Sequence, residues 1–173
     1  MDHAMQEKTI HDGPRIVVGV DGSPQSVLAL QWAQTLAQAL DATITAVTAW
    51  HMETVFGSYI VPDWDPDEGA RQILKDAVQE AFGGNPPEGF SGVCVRGTPA
   101  KVLMEHSKSA RMLIVGSRGH GGFAGMLLGS VSSACAEHAS CPVLVVHGER
   151  DAVRVPVSVG ATHGDGDAPV RDS

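Results

Sequence analysis

Five short apolar runs recur along this chain, and four stretches with helical periodicity separate them. The runs are "RIVVGV" (15–20), "ATITAVTAW" (42–50), "FSGVCVRG" (90–97), "RMLIVG" (111–116) and "VLVVH" (143–147). Runs of this length, bounded by turn residues and rich in β-branched side chains, read as strands. The first is continuous in apolar residues, as a strand buried on both faces requires. The third is less apolar and suits a sheet edge. Neighbouring parallel strands need a crossover long enough for a helix, and right-handed crossovers place helices on both faces of the sheet. The order β-α-β-α-β-α-β-α-β therefore specifies an α/β fold with a parallel sheet. In such a sheet, ligands bind beyond the carboxyl ends of the strands, where the strand order switches direction.

Ser23 is a candidate N-cap and Pro24 a first helical residue, and Thr98 and Pro99 repeat the pattern before the third helix. In the first helix the expected buried stripe is Ala29, Trp32, Ala33, Leu36 and Leu40. The second helix, from about Glu68 to Phe82, shows the stripe Ala70, Ile73, Leu74, Ala77, Val78 and Ala81, and "GGNPPEG" ends it. The fourth is expected over Val131–Ala139. Residues 1–13 are polar and aperiodic and are expected to be disordered. Residues 14–147 form the expected domain, and 148–173 a flexible tail. The connection His51–Asp67 follows no clean period.

Twelve Lys and Arg against twenty Asp and Glu give a formal net charge of −8. Non-specific nucleic-acid binding needs clustered cations, so nucleic acid is not an expected partner. No stretch approaches the ~18–20 apolar residues of a membrane span, and the N-terminus lacks the apolar core of a secretory signal. Three cysteines do not make a disulfide framework. A cytoplasmic protein is the simplest expectation.

The stretch "VGSRGHGGFAGMLLGS" (115–130) holds six glycines. Composition alone is equally consistent with a mobile surface loop. Its placement favours a phosphate cradle: it leaves the carboxyl end of the fourth strand and delivers the chain to a helix N-terminus. Free N–H groups and the helix dipole favour an anion there. Gly116 and Gly119 would let the backbone approach a ligand, and Ser130 and Ser132 add hydroxyls. Asp21, at the end of the first strand, could cap the turn that follows or face the ligand; its position favours the ligand. No G-x-x-x-x-G-K-[ST] occurs, and the first turn carries no dinucleotide fingerprint. No Gly-x-Ser-x-Gly elbow supports serine hydrolase chemistry.

Arg118 and His120 lie within the loop and could reach phosphates, but solvent exposure is the favoured expectation. Cys135, His138 and Cys141 lack a fourth ligand for zinc and read as core and helix-end residues, and Cys94 as core. Asp63, Asp65 and Asp67 read as a solvated loop. The edge strand Pro142–Val146 needs a cover, and pairing with its copy would give a two-fold dimer.

The spacing Gly116-x2-Gly119-x9-Gly129-Ser130 resembles the ATP-binding branch of the universal stress protein family. "IVVGVDGS", "ATITAVTAW" and "GSVSSACAEHASCPVLVV" share the resemblance, which covers about residues 14–147. It implies a Rossmann-like adenine-nucleotide-binding fold, with five parallel strands in the order 3-2-1-4-5, and a homodimer through the last strand. It implies a stress-response regulator that binds ATP and Mg2+ at strands 1, 2 and 4. Asp21 would lie near ribose and phosphates through the metal ion, and the backbone of Ala49 would touch adenine. Gly116 and Gly119 would lie beside ribose and phosphates. Gly129, Ser130, Val131 and Ser132 would hold phosphate at the helix start. With no Walker lysine and no evident general base, at most a slow ATP hydrolase is expected. An interaction module acting without nucleotide is the other alternative.

Overall fold

The computed structural model describes residues 13–51, 54–55, 58–59, 65–120 and 127–148. Residues 1–12 and 149–173, most of both terminal segments considered above, lie outside the described residues, as do 121–126 of the glycine loop.

Among the described residues, seven strands and four helices follow one another as β1 (Arg15–Gly19), α1 (Pro24–Leu40), β2 (Thr43–Trp50), β3 (Thr54–Val55), β4 (Ser58–Tyr59), α2 (Pro66–Phe82), β5 (Phe90–Arg96), α3 (Pro99–Ser107), β6 (Met112–Gly116), α4 (Ser130–His138) and β7 (Val143–Val146). Five strands form one sheet in the order β5-β2-β1-β6-β7, and every pairing in it is parallel. Counted along the chain, and leaving out the two short strands, that order is 3-2-1-4-5. β5 is an edge, as its composition suggests, and β7 is the other. β3 and β4 pair antiparallel as a separate two-stranded element within the connection that shows no period in sequence.

β1 lies at the centre, with Val17 paired to Thr45 on one side and Leu113 on the other. Ile16, Val17 and Val18 are fully buried. Burying each such side chain contributes about 1.5–3 kcal/mol relative to leaving it exposed. Alternate residues feed two cores. Ile16 and Val18 join Leu30, Ala33 and Leu74 under α1 and α2, whereas Val17 joins Leu103, Leu113 and Cys135 under α3 and α4. Helices thus cover both faces.

Ser23 caps α1 as expected, its hydroxyl accepting the Ser26 N–H at 3.2 Å. The buried face of α1 differs from the expected stripe. Ser26, Val27, Ala29, Leu30, Ala33 and Ala37 are buried, whereas Trp32 is 49% exposed and Leu40 36%. Small residues let the helix lie close to the sheet, so the packed face is the alanine face and the bulky residues fall at its margin. On α2, Ile73 is likewise exposed at 40% while Leu74 is buried. α2 also begins earlier than the sequence suggests. Asp65 is its N-cap, accepting the Asp67 N–H at 3.0 Å, and Asp67 accepts from Arg71 one turn on. These two aspartates are helix-start residues, not a solvated loop; Asp63 lies outside the described residues.

Candidate functional site

The chain leaves β1 toward α1 and leaves β6 toward α4, and the helices lie on opposite faces of the sheet. The loops therefore diverge and leave a cleft above the carboxyl ends of β1, β2 and β6. Its volume is about 750 Å3, within the ~300–1,000 Å3 usual for small-molecule sites. Its lining combines apolar residues, Val20, Val47, Ala49, Pro99 and Leu103, with the polar Asp21, Arg118, His120 and the start of α4. All eight residues singled out from the sequence line this cleft: Asp21, Ala49, Gly116, Gly119, Gly129, Ser130, Val131 and Ser132. Pro99 and Leu103, from α3, were not legible as site residues. Arg118 and His120 are exposed, as expected, yet they too line the cleft.

Asp21 performs the turn-capping role and also faces the cleft. Its Oδ1 accepts the Ser23 N–H at 2.9 Å, with Gly22 between them at φ 82°. Only glycine adopts that conformation without strain. Its Oδ2 accepts the His120 N–H at 3.3 Å, from the loop after β6. Ser23 Oγ adds a second link by donating to the Arg118 carbonyl at 3.5 Å. The carboxylate is thus a bridge between the two loops that frame the cleft. Each oxygen retains acceptor capacity toward a ligand or cation.

The glycines differ in what they accommodate. A Cβ at Gly119 would fall on Asp21 Oδ2. A Cβ at Gly116 would lie 2.7 Å from Gln25 Cβ and 3.1 Å from the Gln25 carbonyl carbon. The missing side chain at Gly116 therefore makes room for α1, not for a ligand, although the residue also borders the cleft. At Gly129 the nearest atom to such a Cβ is 3.6 Å away, so that position is not sterically reserved for glycine.

Gly129 is the N-cap of α4, with φ −75° and ψ 170°. Its N–H is already donated, to the Ser117 carbonyl at 2.7 Å. The first bond along α4 runs from Ser133 N–H to the Gly129 carbonyl at 2.9 Å. The amides of Ser130, Val131 and Ser132 precede it and have no partner within the helix, an arrangement that attracts anions. Ser130 is exposed, but the Ser132 hydroxyl is buried and engaged with the Ser117 and Gly129 carbonyls at 2.9 and 3.1 Å. Ser132 thus brings an amide to the cleft; its hydroxyl does not serve as the free donor that its spacing suggests.

The model of the universal stress protein family matches residues 14–147. The chain belongs to the universal stress protein family. A universal stress protein of Mycobacterium tuberculosis is 37% identical over 158 residues, covering 84% of this chain and 53% of the relative. One from Mycolicibacterium smegmatis is 35% identical over 159 residues, covering 84% and 53%. The chain therefore spans about half the length of the curated relatives it matches. Among solved structures, a universal stress protein in complex with cAMP is 29% identical, with a TM-score of 0.59, covering 78% of this chain and 97% of that one.

The other candidate cluster of this universal stress protein does not converge. Cys135 is fully buried, and burial pushes its thiol up to about 11. His138 is exposed beside Glu137. Burial also raises the thiols of Cys94 and Cys141, and all three cysteines are free. Among the described residues, no three His, Cys, Asp or Glu side chains come together as a metal site. None of the described helices is long and apolar enough to cross a membrane.

Proposed function

We propose that this chain is a regulatory protein of stress adaptation that holds ATP, with a divalent cation, at the carboxyl ends of β1, β2 and β6. One observation carries the reading. The amides at the start of α4, which have no partner within the helix, share a cleft with Asp21, and the apolar residues of its lining suit a purine. Phosphates belong at the amides of Ser130, Val131 and Ser132, and the base against Ala49 and Leu103. Gly116 and Gly119 run alongside ribose and phosphates, and Gly129 turns the chain into the helix. The cAMP complex of a relative at 29% identity supports an adenine nucleotide as the ligand class.

Asp21 fits a cation of the Mg2+ kind. It is exposed, it borders the cleft, and each of its oxygens accepts one N–H and keeps a lone pair. Mg2+ commonly takes one or two carboxylates and completes its shell with phosphates and water. The bound cation would neutralise phosphate charge, and Asp21 would orient it. We read residues 14–147 as the functional domain, pairing with a second copy through Pro142–Val146, whose apolar strand ends the sheet. The three free thiols suit a reducing, cytoplasmic setting.

Isothermal titration with ATP, with and without Mg2+, tests the proposal. Saturable binding that EDTA weakens is the expected result; no heat at millimolar nucleotide refutes it. ATP recovered intact from the purified protein would favour sensing over hydrolysis.

A further inference from the structure

The Ser117 carbonyl stands where β6 hands the chain to the glycine loop. It receives two donors from the far end of that loop: the Gly129 N–H at 2.7 Å and the Ser132 hydroxyl at 2.9 Å. Ser117 and Ser132 are 3% and 2% exposed. The stretch 118–128 is thus closed at its base, with its two ends held on one oxygen.

The Ser132 hydroxyl also lies 3.1 Å from the Gly129 carbonyl, the group that accepts the first helical bond of α4. A hydroxyl has one proton, shared here between two carbonyls of the protein. It has none to give to a ligand. The Ser117 residue is buried, so the loss of the hydroxyl that its carbonyl accepts is felt locally. The position joins three things: the end of β6, the close of the loop and the start of α4.

We propose that Ser132 is a positioning residue for the nucleotide site. Its hydroxyl fixes the first turn of α4 against the end of β6. The amides of Ser130 and Val131, and its own, are thereby held toward the cleft. The inference rests on the nucleotide reading of that cleft and adds to it a residue that acts through the placement of others. Removing the hydroxyl leaves Ser117 with the Gly129 N–H, so the fold persists while the loop base is held by one bond in place of two.

Ser132→Val and Ser132→Thr have nearly the same shape, and only threonine keeps the hydroxyl; Ser132→Ala removes it without added bulk. Losing one neutral hydrogen bond corresponds to roughly a three- to tenfold effect. Ser132→Val and Ser132→Ala should weaken ATP binding by that factor in titration calorimetry. They should speed amide hydrogen exchange at Gly129 by a comparable factor, measured without nucleotide. Ser132→Thr should restore both relative to Ser132→Val. Unchanged Gly129 exchange in Ser132→Ala overturns the proposal. So does wild-type ATP affinity in Ser132→Ala, or a threonine variant no better than the valine one. If the wild-type protein binds no nucleotide, the reading of the cleft fails, and Gly129 exchange still decides whether Ser132 holds the loop.

Discussion

Alanine at Gly116, Gly119 and Gly129 should yield three different phenotypes, although one spacing contains all three glycines. Replacing glycine by alanine at a compatible position stabilises by about 0.4–1 kcal/mol through the unfolded chain. At Gly116 the new Cβ meets Gln25 Cβ at 2.7 Å and the Ser26 nitrogen at 3.2 Å. Two of its three near neighbours are backbone of α1, so the helix itself must shift. Overpacking of this kind costs about 1–3 kcal/mol, leaving a net loss of about 1–2 kcal/mol. For a domain of this size that is a fall in melting temperature of roughly 3–8 °C. At Gly129 there is space, and φ is −75°. Alanine is a poorer N-cap than glycine by up to ~1 kcal/mol, which the unfolded-state gain offsets, so stability should hold within about 0.5 kcal/mol. Gly119 is the third case. Its φ is not in the left-handed region, so the conflict is purely the Asp21 carboxylate. Alanine there turns Asp21 away and breaks its bond from the His120 N–H. That exposed bond adds under about 1 kcal/mol to stability, whereas nucleotide affinity should fall about tenfold or more as the two loops part. Thermal denaturation and titration calorimetry on the three variants separate these outcomes. Equal loss of stability in Gly116→Ala and Gly129→Ala, or a Gly119→Ala protein that binds ATP like wild type, would refute the reasoning.

Asp21→Ala should lower ATP affinity and remove its dependence on Mg2+, so EDTA should no longer change the titration; a persisting Mg2+ effect would place the cation elsewhere. Cys135 should resist alkylation in the native protein, since burial holds its thiol near 11, and react once urea unfolds the chain. Its folded value lies above the unfolded one of 9.0. Its contribution to stability is therefore complete below pH ~9 and is lost between pH ~9 and ~11, and Cys135→Ala should flatten the alkaline limb of a stability–pH curve.

The parallel sheet and the place of the cleft were legible because β-α alternation leaves few topologies, and because ligand sites in such sheets have a fixed place; the strand order followed only from the family resemblance. The faces of the helices were less so. Ala29 and Ala33 are buried as expected, but side-chain size also led to Trp32 and Leu40, whereas the interface between α1 and the sheet adds Ala37, a choice that depends on how closely the two layers approach. The roles of the site glycines were hidden for another reason. What excludes a Cβ at Gly116 is Gln25, and at Gly119 it is Asp21, residues far away in sequence and close only after folding. Spacing locates these glycines but does not say which neighbour each one makes room for. Asp65 as a helix cap was masked by its setting among other aspartates and prolines.

The bridge made by Asp21 spans 99 positions of sequence. During synthesis, β1, α1, β2, α2 and β5 emerge first and can form three of the five strands of the sheet, with no complete mouth for a ligand above them. Only when β6 docks against β1 and the start of α4 follows does the cleft acquire its second wall. Contacts of such sequence separation form late and slowly. A ligand that needs both walls would therefore recognise only finished molecules. If the cleft binds nucleotide as proposed, the nucleotide would also draw together two fragments cut in the exposed turn at Lys108–Ser109.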